Sequence, residues 1–173
     1  MKKFLLSVAF AGALFAQSSV DIQISNDTLG IYAQSRITQN NIYARGFFLY
    51  NDESNRYNFY SLGVKAESNL IGEEDIRFSL IVDFVHTKDN CAAPLGIGVF
   101  GYVPNIDYAV FVKAEYEFAP KILSFDDADR FSRIDAQIGI QPIENGKLFL
   151  GYRNISFNHN YNSGLYVGLG YNF

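Results

Sequence analysis

The feature that most constrains the fold is strict alternation of side-chain character over runs of ten or more residues. In the run 106–118 one row is apolar and reads Tyr108, Val110, Val112, Ala114, Tyr116 and Phe118. The other row carries Asp107, Ala109, Phe111, Lys113, Glu115 and Glu117. Because successive side chains of a β-strand point to opposite faces, each such run predicts a strand with two unlike faces.

Ten such segments follow one another, and no amphipathic helix of useful length interrupts them. They are 19–25, 29–37, 41–51, 57–69, 75–88, 94–103, 106–118, 131–142, 146–157 and 164–173. Asn145-Gly146 between two alternating runs is a strong hairpin signal, and Pro104-Asn105 predicts another tight turn. Because 25–28 fits either a turn or a bulge, ten strands are favoured and eight are the fallback.

The predicted connections alternate between short and long. The short ones are 38–40, 70–74, 104–105 and 143–145, and the long ones are 51–56, 88–93, 119–130 and 158–163. Transmembrane barrels show this asymmetry between their two ends. Strands of about 9–11 residues also suffice to cross a bilayer at a tilt. The sequence therefore predicts an all-β fold, a closed antiparallel up-and-down transmembrane β-barrel.

Alternation alone does not say which row faces inward, and a soluble lipocalin-like barrel would place the apolar row inside. Two observations favour the opposite orientation. The polar row mixes charges with Gly, Ser, Phe and Tyr, as a crowded interior would. Aromatic residues lie toward strand ends on the apolar row, as in the girdles at bilayer interfaces; these are Tyr50, Tyr60, Tyr108, Tyr116, Phe118, Tyr171 and Phe173.

The outward placement of the apolar row predicts a charged interior. Its cationic members are Arg36, Arg45, Lys65, Arg77, Lys113, Arg133 and Arg153, and its acidic members are Asp21, Glu67, Asp83, Glu115, Glu117 and Asp135. A barrel of eight to ten strands has little space left once its side chains are placed, so these charges must pair or meet water. The network is predicted to be a structural plug, and a narrow, gated ion path is the alternative.

The N-terminal segment has the pattern of a secretory signal peptide. Lys2 and Lys3 precede a 13-residue apolar run, Phe4 to Ala16, which is too short to span a bilayer as a helix. We therefore predict a signal peptide at 1–16 and a barrel domain at 17–173. Cleavage after Ala16 is the expectation and a retained anchor helix is the alternative. The single cysteine, Cys91, excludes a disulfide framework.

An alternating apolar row also closes the sequence: Leu165, Val167, Leu169, Tyr171 and Phe173. This row resembles the C-terminal signal that outer-membrane barrels present to the barrel-assembly machinery. The resemblance implies that this machinery is a partner during insertion and that outer-membrane lipids and lipopolysaccharide surround the mature barrel.

The chain resembles the YfaZ-type family of small outer-membrane proteins. The resemblance rests on Asp21-Ile22-Gln23, Gly151-Tyr152-Arg153, the closing Gly164-Leu165-Tyr166-Val167-Gly168 and the acidic loop FAPKILSFDDADRF. It implies an outer-membrane location and barrel architecture, and it supplies no reaction.

Little in the sequence indicates catalysis. His86 and His159 fall at the loop-side ends of strands, and Ser156, Ser163 and the Asp126/Asp127 pair could accompany His159 in a lipid A acyl-modifying enzyme. Ordinary interface histidines are the favoured interpretation. The acidic loop lacks the glycine and glutamate of an EF-hand, although divalent ions or lipopolysaccharide head groups remain an alternative there. We expect no cofactor, resident metal or nucleic-acid partner, and a monomer of structural role or narrow small-solute passage.

Overall fold

Twelve β-strands and one short 3-10 helix make up the described chain. The computed structural model describes residues 18–38, 40–52, 58–70, 73–104 and 109–173. The strands are β1 Ser18–Ile24, β2 Thr28–Thr38, β3 Ile42–Asn51, β4 Phe59–Leu70, β5 Glu73–His86, β6 Asn90–Ala92, β7 Leu95–Tyr102, β8 Ala109–Ala119, β9 Ser124–Asp126, β10 Phe131–Ile143, β11 Gly146–Phe157 and β12 His159–Asn172. The helix spans Lys121–Leu123. The predicted signal peptide, Asn105 and Tyr108 lie outside the described residues.

Ten of these strands form a closed antiparallel barrel, which confirms the predicted fold class and the count of ten. Each of the ten pairs with its neighbour in chain order, β5 pairing with β7 and β8 with β10. The ring closes where β1 pairs with β12, from Ser19 opposite Asn172 to Ile24 opposite Val167. Closure satisfies the backbone groups that a sheet edge would leave unpaired.

The two ends of the barrel differ. At one end β2 is followed by β3, β4 by β5, β7 by β8 and β10 by β11, and Ser18 and Phe173 lie there as well; we call it the turn end. The other, the loop end, carries the connections that contain β6 and β9 together with two short connections, β1–β2 and β11–β12. Residues 25–27 form a tight turn there, in which the Ser25 amide donates to the Thr28 carbonyl at 3.0 Å. The segment 25–28 is therefore a turn between two strands.

The short strands β6 and β9 extend the wall at the loop end. Within β6, Cys91 lies opposite His86 of β5 and opposite Phe125 of β9. Ala93 continues the contact by donating to the Leu123 carbonyl at 2.8 Å. The sequence pattern predicts loops here, because strands of three residues are too short to show a reliable alternation.

The predicted loop 158–163 is wrong. Strand β12 begins at His159, so Asn158 alone connects β11 to β12, with φ 56°. Asparagine tolerates this left-handed conformation better than most residues. Its side chain also accepts hydrogen bonds from the amides of Asp129 (2.7 Å) and Arg130 (3.1 Å) and donates to the Asp127 carbonyl at 3.0 Å. The turn therefore anchors the acidic loop.

The apolar row of the strands faces outward and the ionic row faces the lumen. Large apolar side chains on the outer face are exposed, among them Ile22, Leu62, Leu80, Ile97, Leu150 and Leu165. The described aromatic residues of the predicted girdles are exposed as well: Tyr50, Tyr60, Tyr116, Phe118, Tyr171 and Phe173. The lipocalin-like alternative requires the reverse and is not favoured. No helix in the described ranges is long and apolar enough to cross a membrane.

Inward aromatic rings pack over glycines on the neighbouring strand. Phe149 of β11 lies opposite Gly168 of β12, and its ring occupies the space that a side chain at 168 would need. Tyr166 covers Gly151 in the same way. Glycine weakens a strand by itself, and a neighbouring aromatic ring restores the missing packing.

We predict that Gly168→Ala destabilises the barrel by about 1–3 kcal/mol because the added methyl group overlaps the Phe149 ring. The urea midpoint of the membrane-inserted protein, read from heat-modifiable gel migration, measures the effect. Gly46→Ala is the matched control, since a methyl group there meets its nearest atom at 3.8 Å. Equal midpoints for the two variants would contradict the packing argument.

Candidate functional site

The lumen is the candidate functional site, and the structure places all the predicted charged residues in it. At its centre five side chains form what we call the ionic belt: Arg45, Asp83, Glu115, Glu117 and Arg133. They come from β3, β5, β8 and β10, so the belt crosses the lumen. Each belt side chain is at most 5% exposed.

Arg45 is the centre of the belt. Its guanidinium contacts three carboxylates, with Nε 3.4 Å from Asp83, Nη1 3.2 Å from Glu115 and Nη2 3.1 Å from Glu117. Arg133 provides a second bridge between Asp83, at 3.5 Å, and Glu117. A planar guanidinium can serve several carboxylates at once, which suits it to this position.

Gly96 of β7 makes room for the belt. It lies opposite Glu117 of β8, and a side chain at 96 would collide with that glutamate. A small cavity of about 10 Å³ lies beside the belt, where Arg45, Glu115 and Arg133 contribute to its lining.

Two predicted charges are satisfied mainly by neutral groups. Arg153 donates to Gln23 at 2.7 Å and to Thr28 at 3.1 Å. The carboxylate of Asp135 accepts from the Tyr166 hydroxyl at 2.9 Å and from the Gln137 amide at 2.9 Å. Charge counting from sequence cannot identify such partners, because glutamine and tyrosine are neutral.

On the loop-end side of the belt, four inward rings close the lumen: Phe47, Phe59, Phe131 and Phe157. We call them the aromatic plug. The Phe59 and Phe131 rings stack with centroids 6.1 Å apart, and Phe157 lies 4.8 Å from Phe131. Ala92 and Ala128 from the loop-end segments join the same buried cluster. The plug residues were not among the predicted site residues. Phe131 and Phe157 nevertheless lie an even number of residues from Arg133 and Arg153 on their strands, so the alternation places them on the same inner face.

On the turn-end side, the lumen opens into a cavity of about 460 Å³, which we call the vestibule. All ten barrel strands contribute to its lining. Its charged lining residues are Asp21, Arg36, Lys65, Glu67, Arg77, Lys113, Glu115 and Lys147. The Nζ atom of Lys147 lies 2.8 Å from the Asp21 carboxylate, and this lysine was not predicted to line the lumen. It lies six residues before Arg153 on the same strand, so the alternation of side chains could have placed it on the inner face.

Ion pairs link the vestibule to the belt. Lys65 lies 2.8 Å from Glu67, and Arg77 lies 3.3 Å from the other oxygen of that carboxylate. Lys113 lies 3.2 Å from Glu115. Aromatic faces hold the same cations, with Arg77 4.3 Å from the Phe100 ring centroid and Lys113 4.8 Å from that of Tyr32. Arg36, the remaining predicted cation, donates to Asn41 at the turn end.

The C-terminal row lies on the outer face, where all five of its members are exposed: Leu165, Val167, Leu169, Tyr171 and Phe173. Tyr171 and Phe173 contact each other with ring centroids 5.0 Å apart.

Among the described candidate residues, His86 contacts a cysteine and Ser163 contacts a tyrosine. His86 is exposed on the outer face, with Nδ1 2.9 Å from the Cys91 sulfur. Burial, together with a hydrogen bond to Asp126, raises the pKa of the Cys91 thiol, which favours the protonated form over a nucleophilic thiolate. The Ser163 hydroxyl contacts Tyr152 at 3.0 Å. The side chain of His159 lies outside the description.

The acidic loop carries a solvent-exposed ion pair. Lys121 lies 2.7 Å from Asp129, and this hydrogen-bonded pair lowers the pKa of the Asp129 carboxyl. Across the described ranges, no group of three or more His, Cys, Asp or Glu side chains is placed to hold a metal ion.

The fold and the lumen define a closed ten-stranded barrel with an ionic interior, and comparison with solved structures finds the same architecture. One match is a KdgM porin in complex with disordered oligogalacturonate, at 8% identity and TM-score 0.51, covering 91% of this chain and 99% of the porin. A second KdgM porin structure gives 8% identity, the same coverage and a TM-score of 0.50. A chain from work on in-meso crystallization of membrane proteins gives 13% identity, a TM-score of 0.50 and coverage of 92% and 83%.

These likenesses show the fold. No protein-family model matches the chain, and no curated protein matches its sequence significantly. The resemblance to the YfaZ-type family therefore stays a prediction.

We predict that Arg45→Met destabilises the barrel by about 3–5 kcal/mol, because it leaves three buried carboxylates without their shared cation. Urea unfolding followed by gel migration measures the loss. Lys121→Gln, which removes a solvent-exposed cation at the loop end, should leave the midpoint unchanged. An Arg45→Met barrel as stable as the wild type would show that the belt does not hold the lumen together.

Proposed function

We propose that the chain is an integral outer-membrane β-barrel that provides a narrow passage for small polar solutes or ions and rests in a closed state. The observation that carries the proposal is the orientation of the two rows. The outer row exposes large apolar side chains along the whole ring, while the inner row is ionic. Such a surface is unfavourable in water and suits hydrocarbon.

Four further observations support this location. The barrel shares its fold with KdgM porins. Exposed aromatic residues lie at both ends of the outer face, as at membrane interfaces. The sequence pattern of 1–16 fits export, and the C-terminal row resembles the insertion signal. On this proposal the turn end faces the periplasm, and lipids and lipopolysaccharide surround a monomer.

The closed state follows from the lumen. A solute that enters the vestibule meets the ionic belt and then the aromatic plug. Passage therefore requires the plug rings and belt side chains to move apart. A permanently closed structural barrel is the alternative, and it predicts no conductance in any variant that keeps the wall intact.

We predict that Leu80→Arg destabilises the lipid-inserted barrel by about 2–4 kcal/mol. Leu80 is 68% exposed near the middle of β5, and a lipid-facing arginine at mid-depth carries a cost of this size. Reversible unfolding from phospholipid vesicles measures it. Ile122→Arg, at an exposed position of the short 3-10 helix, is the control and should have little effect. A tolerated arginine at position 80 would contradict the membrane orientation.

We also predict that Phe59→Ala combined with Phe131→Ala increases the frequency of conductance steps in planar bilayers. The two substitutions remove the stacked pair of the plug, so the belt becomes the remaining barrier. Phe84→Ala, an outward phenylalanine on β5, is the matched control and should behave as the wild type does. If the plug variant shows no conductance steps while its heat-modifiable gel migration is preserved, the result favours the structural barrel.

A further inference from the structure

The two carboxylate oxygens of Glu117, in the ionic belt, have unequal surroundings. Both guanidinium groups of the belt converge on Oε1, with Nη2 of Arg45 at 3.1 Å and Nη2 of Arg133 in contact with the same atom. The other oxygen, Oε2, has no hydrogen-bond partner among the described residues, and Glu117 is 0% exposed. Buried polar atoms are usually hydrogen-bonded. Oε2 therefore indicates a group that the belt side chains do not supply.

Asp83, which shares Arg133 with Glu117, is better provided with donors. Its Oδ2 accepts a hydrogen bond from the Ser61 hydroxyl at 2.6 Å and one from Arg133 at 3.5 Å. Its Oδ1 accepts no hydrogen bond but lies 3.4 Å from Nε of Arg45. Hydrogen bonds to a carboxylate stabilise the charged form, so Asp83 holds its charge more firmly than Glu117 does.

Glu115, two residues before Glu117 on β8, is surrounded by cations. Its contacts are with Arg45 at 3.2 Å, Lys113 at 3.2 Å and Lys65 at 3.8 Å. These contacts keep Glu115 charged. The groups that face Glu117 from the neighbouring strands are thus Arg45 of β3, Asp83 of β5 and Arg133 of β10, while β7 places only Gly96 opposite it. Of the belt carboxylates, Glu117 has the fewest donors.

A proton is the group that fits Oε2. Metal cations take several oxygen ligands, and two guanidinium groups beside Glu117 repel a further metal cation. A proton needs only one free oxygen, and it forms an O–H bond there without displacing either arginine from Oε1. The turn end supplies it, because Glu115 lines the open vestibule and shares Arg45 with Glu117.

Protonation of Glu117 weakens the belt at one atom. Arg45 and Arg133 approach the same oxygen, so the negative charge of Glu117 offsets their mutual repulsion. Once a proton from water binds Oε2, the carboxyl group is neutral and this compensation is lost. Arg133 then keeps Asp83, at 3.5 Å, as its charged partner. The link that joins β3 to β10 across the lumen is therefore the one that acid loosens.

We propose that Glu117 is a proton-binding residue whose protonation, from the vestibule side, opens the ionic belt. The inference rests on the proposed passage and names its regulation: the belt is closed when Glu117 is charged and opens more often as the pH falls.

Single-channel recording of the barrel that carries Phe59→Ala and Phe131→Ala tests this gate, because the belt is then the remaining barrier. We expect conductance steps to become about threefold or more frequent when the pH falls from about 7.5 to about 5, toward the range in which carboxyl groups take up protons. Adding Glu117→Gln should give frequent steps at both pH values, since glutamine is neutral at both. A plug variant without a pH response, or a Glu117→Gln barrel that keeps the full response, would overturn the inference.

Asp127→Asn is the matched control in the same plug variant. It removes an exposed carboxylate at the loop end, outside the lumen, and should leave the pH response unchanged. Loss of the response in this control would assign the effect to the acidic loop and overturn the role of Glu117.

Ser61→Ala provides a second variant, which keeps every charge of the belt. Without the serine hydroxyl, Oδ2 of Asp83 depends on Arg133 alone, so Glu117 receives less of the shared guanidinium. The pH at which the steps reach half of their maximal frequency should therefore rise by about one unit. An unchanged half-point in a barrel with preserved heat-modifiable migration would contradict the gate, even where Glu117→Gln does not fold.

Infrared spectroscopy separates proton uptake from conductance. On acidification, we expect the C=O stretching band of protonated carboxyl groups to contain a component that is missing from Glu117→Gln. If this component appears while all variants are silent in bilayers, passage is rejected and Glu117 remains a proton-binding residue. If the plug variant conducts and the component is absent, passage stands and the proton gate is rejected.

Discussion

The structure depends on matching charges inside a lumen whose width the ring of strands fixes. Ten strands leave room for side chains and little water, so a carboxylate at the centre must find a cation across the lumen. Arg45 meets this constraint for Asp83, Glu115 and Glu117 at once. The same contacts connect strands that are distant in the sheet, so the belt holds the wall together from within. Space for it exists because β7 has glycine beside Glu117.

The two ends of the lumen are built from different chemistry. Phenylalanines and two alanines from loop segments close the loop end, whereas cations, amides and tyrosines line an open cavity at the turn end. A barrel with a purely structural role would not need an open cavity at one end of its lumen. The asymmetry is the reason that the proposed passage has its closed barrier at the loop end and its open cavity at the turn end.

The alternation of side chains was sufficient to predict the wall. A strand has only two faces, so the parity of Arg45, Asp83 or Arg133 determines which way each points once one row is assigned to lipid. Parity could also have identified Lys147 and the plug. It could not supply the neutral partners of Arg153 and Asp135, the pairing of β6 with β9, or the one-residue turn at Asn158. Those depend on contacts between segments distant in sequence, which a local period does not encode.

Closure of the ring through β1 and β12 has a kinetic consequence. The first strand has only β2 beside it until the last one arrives, so every partly formed barrel presents two unsatisfied edges. Such edges are templates on which another chain can add a strand. Folding into the native barrel must therefore shield both edges or shorten the time for which they are open, and any delay in the pairing of β12 with β1 extends the time in which two copies can pair with each other.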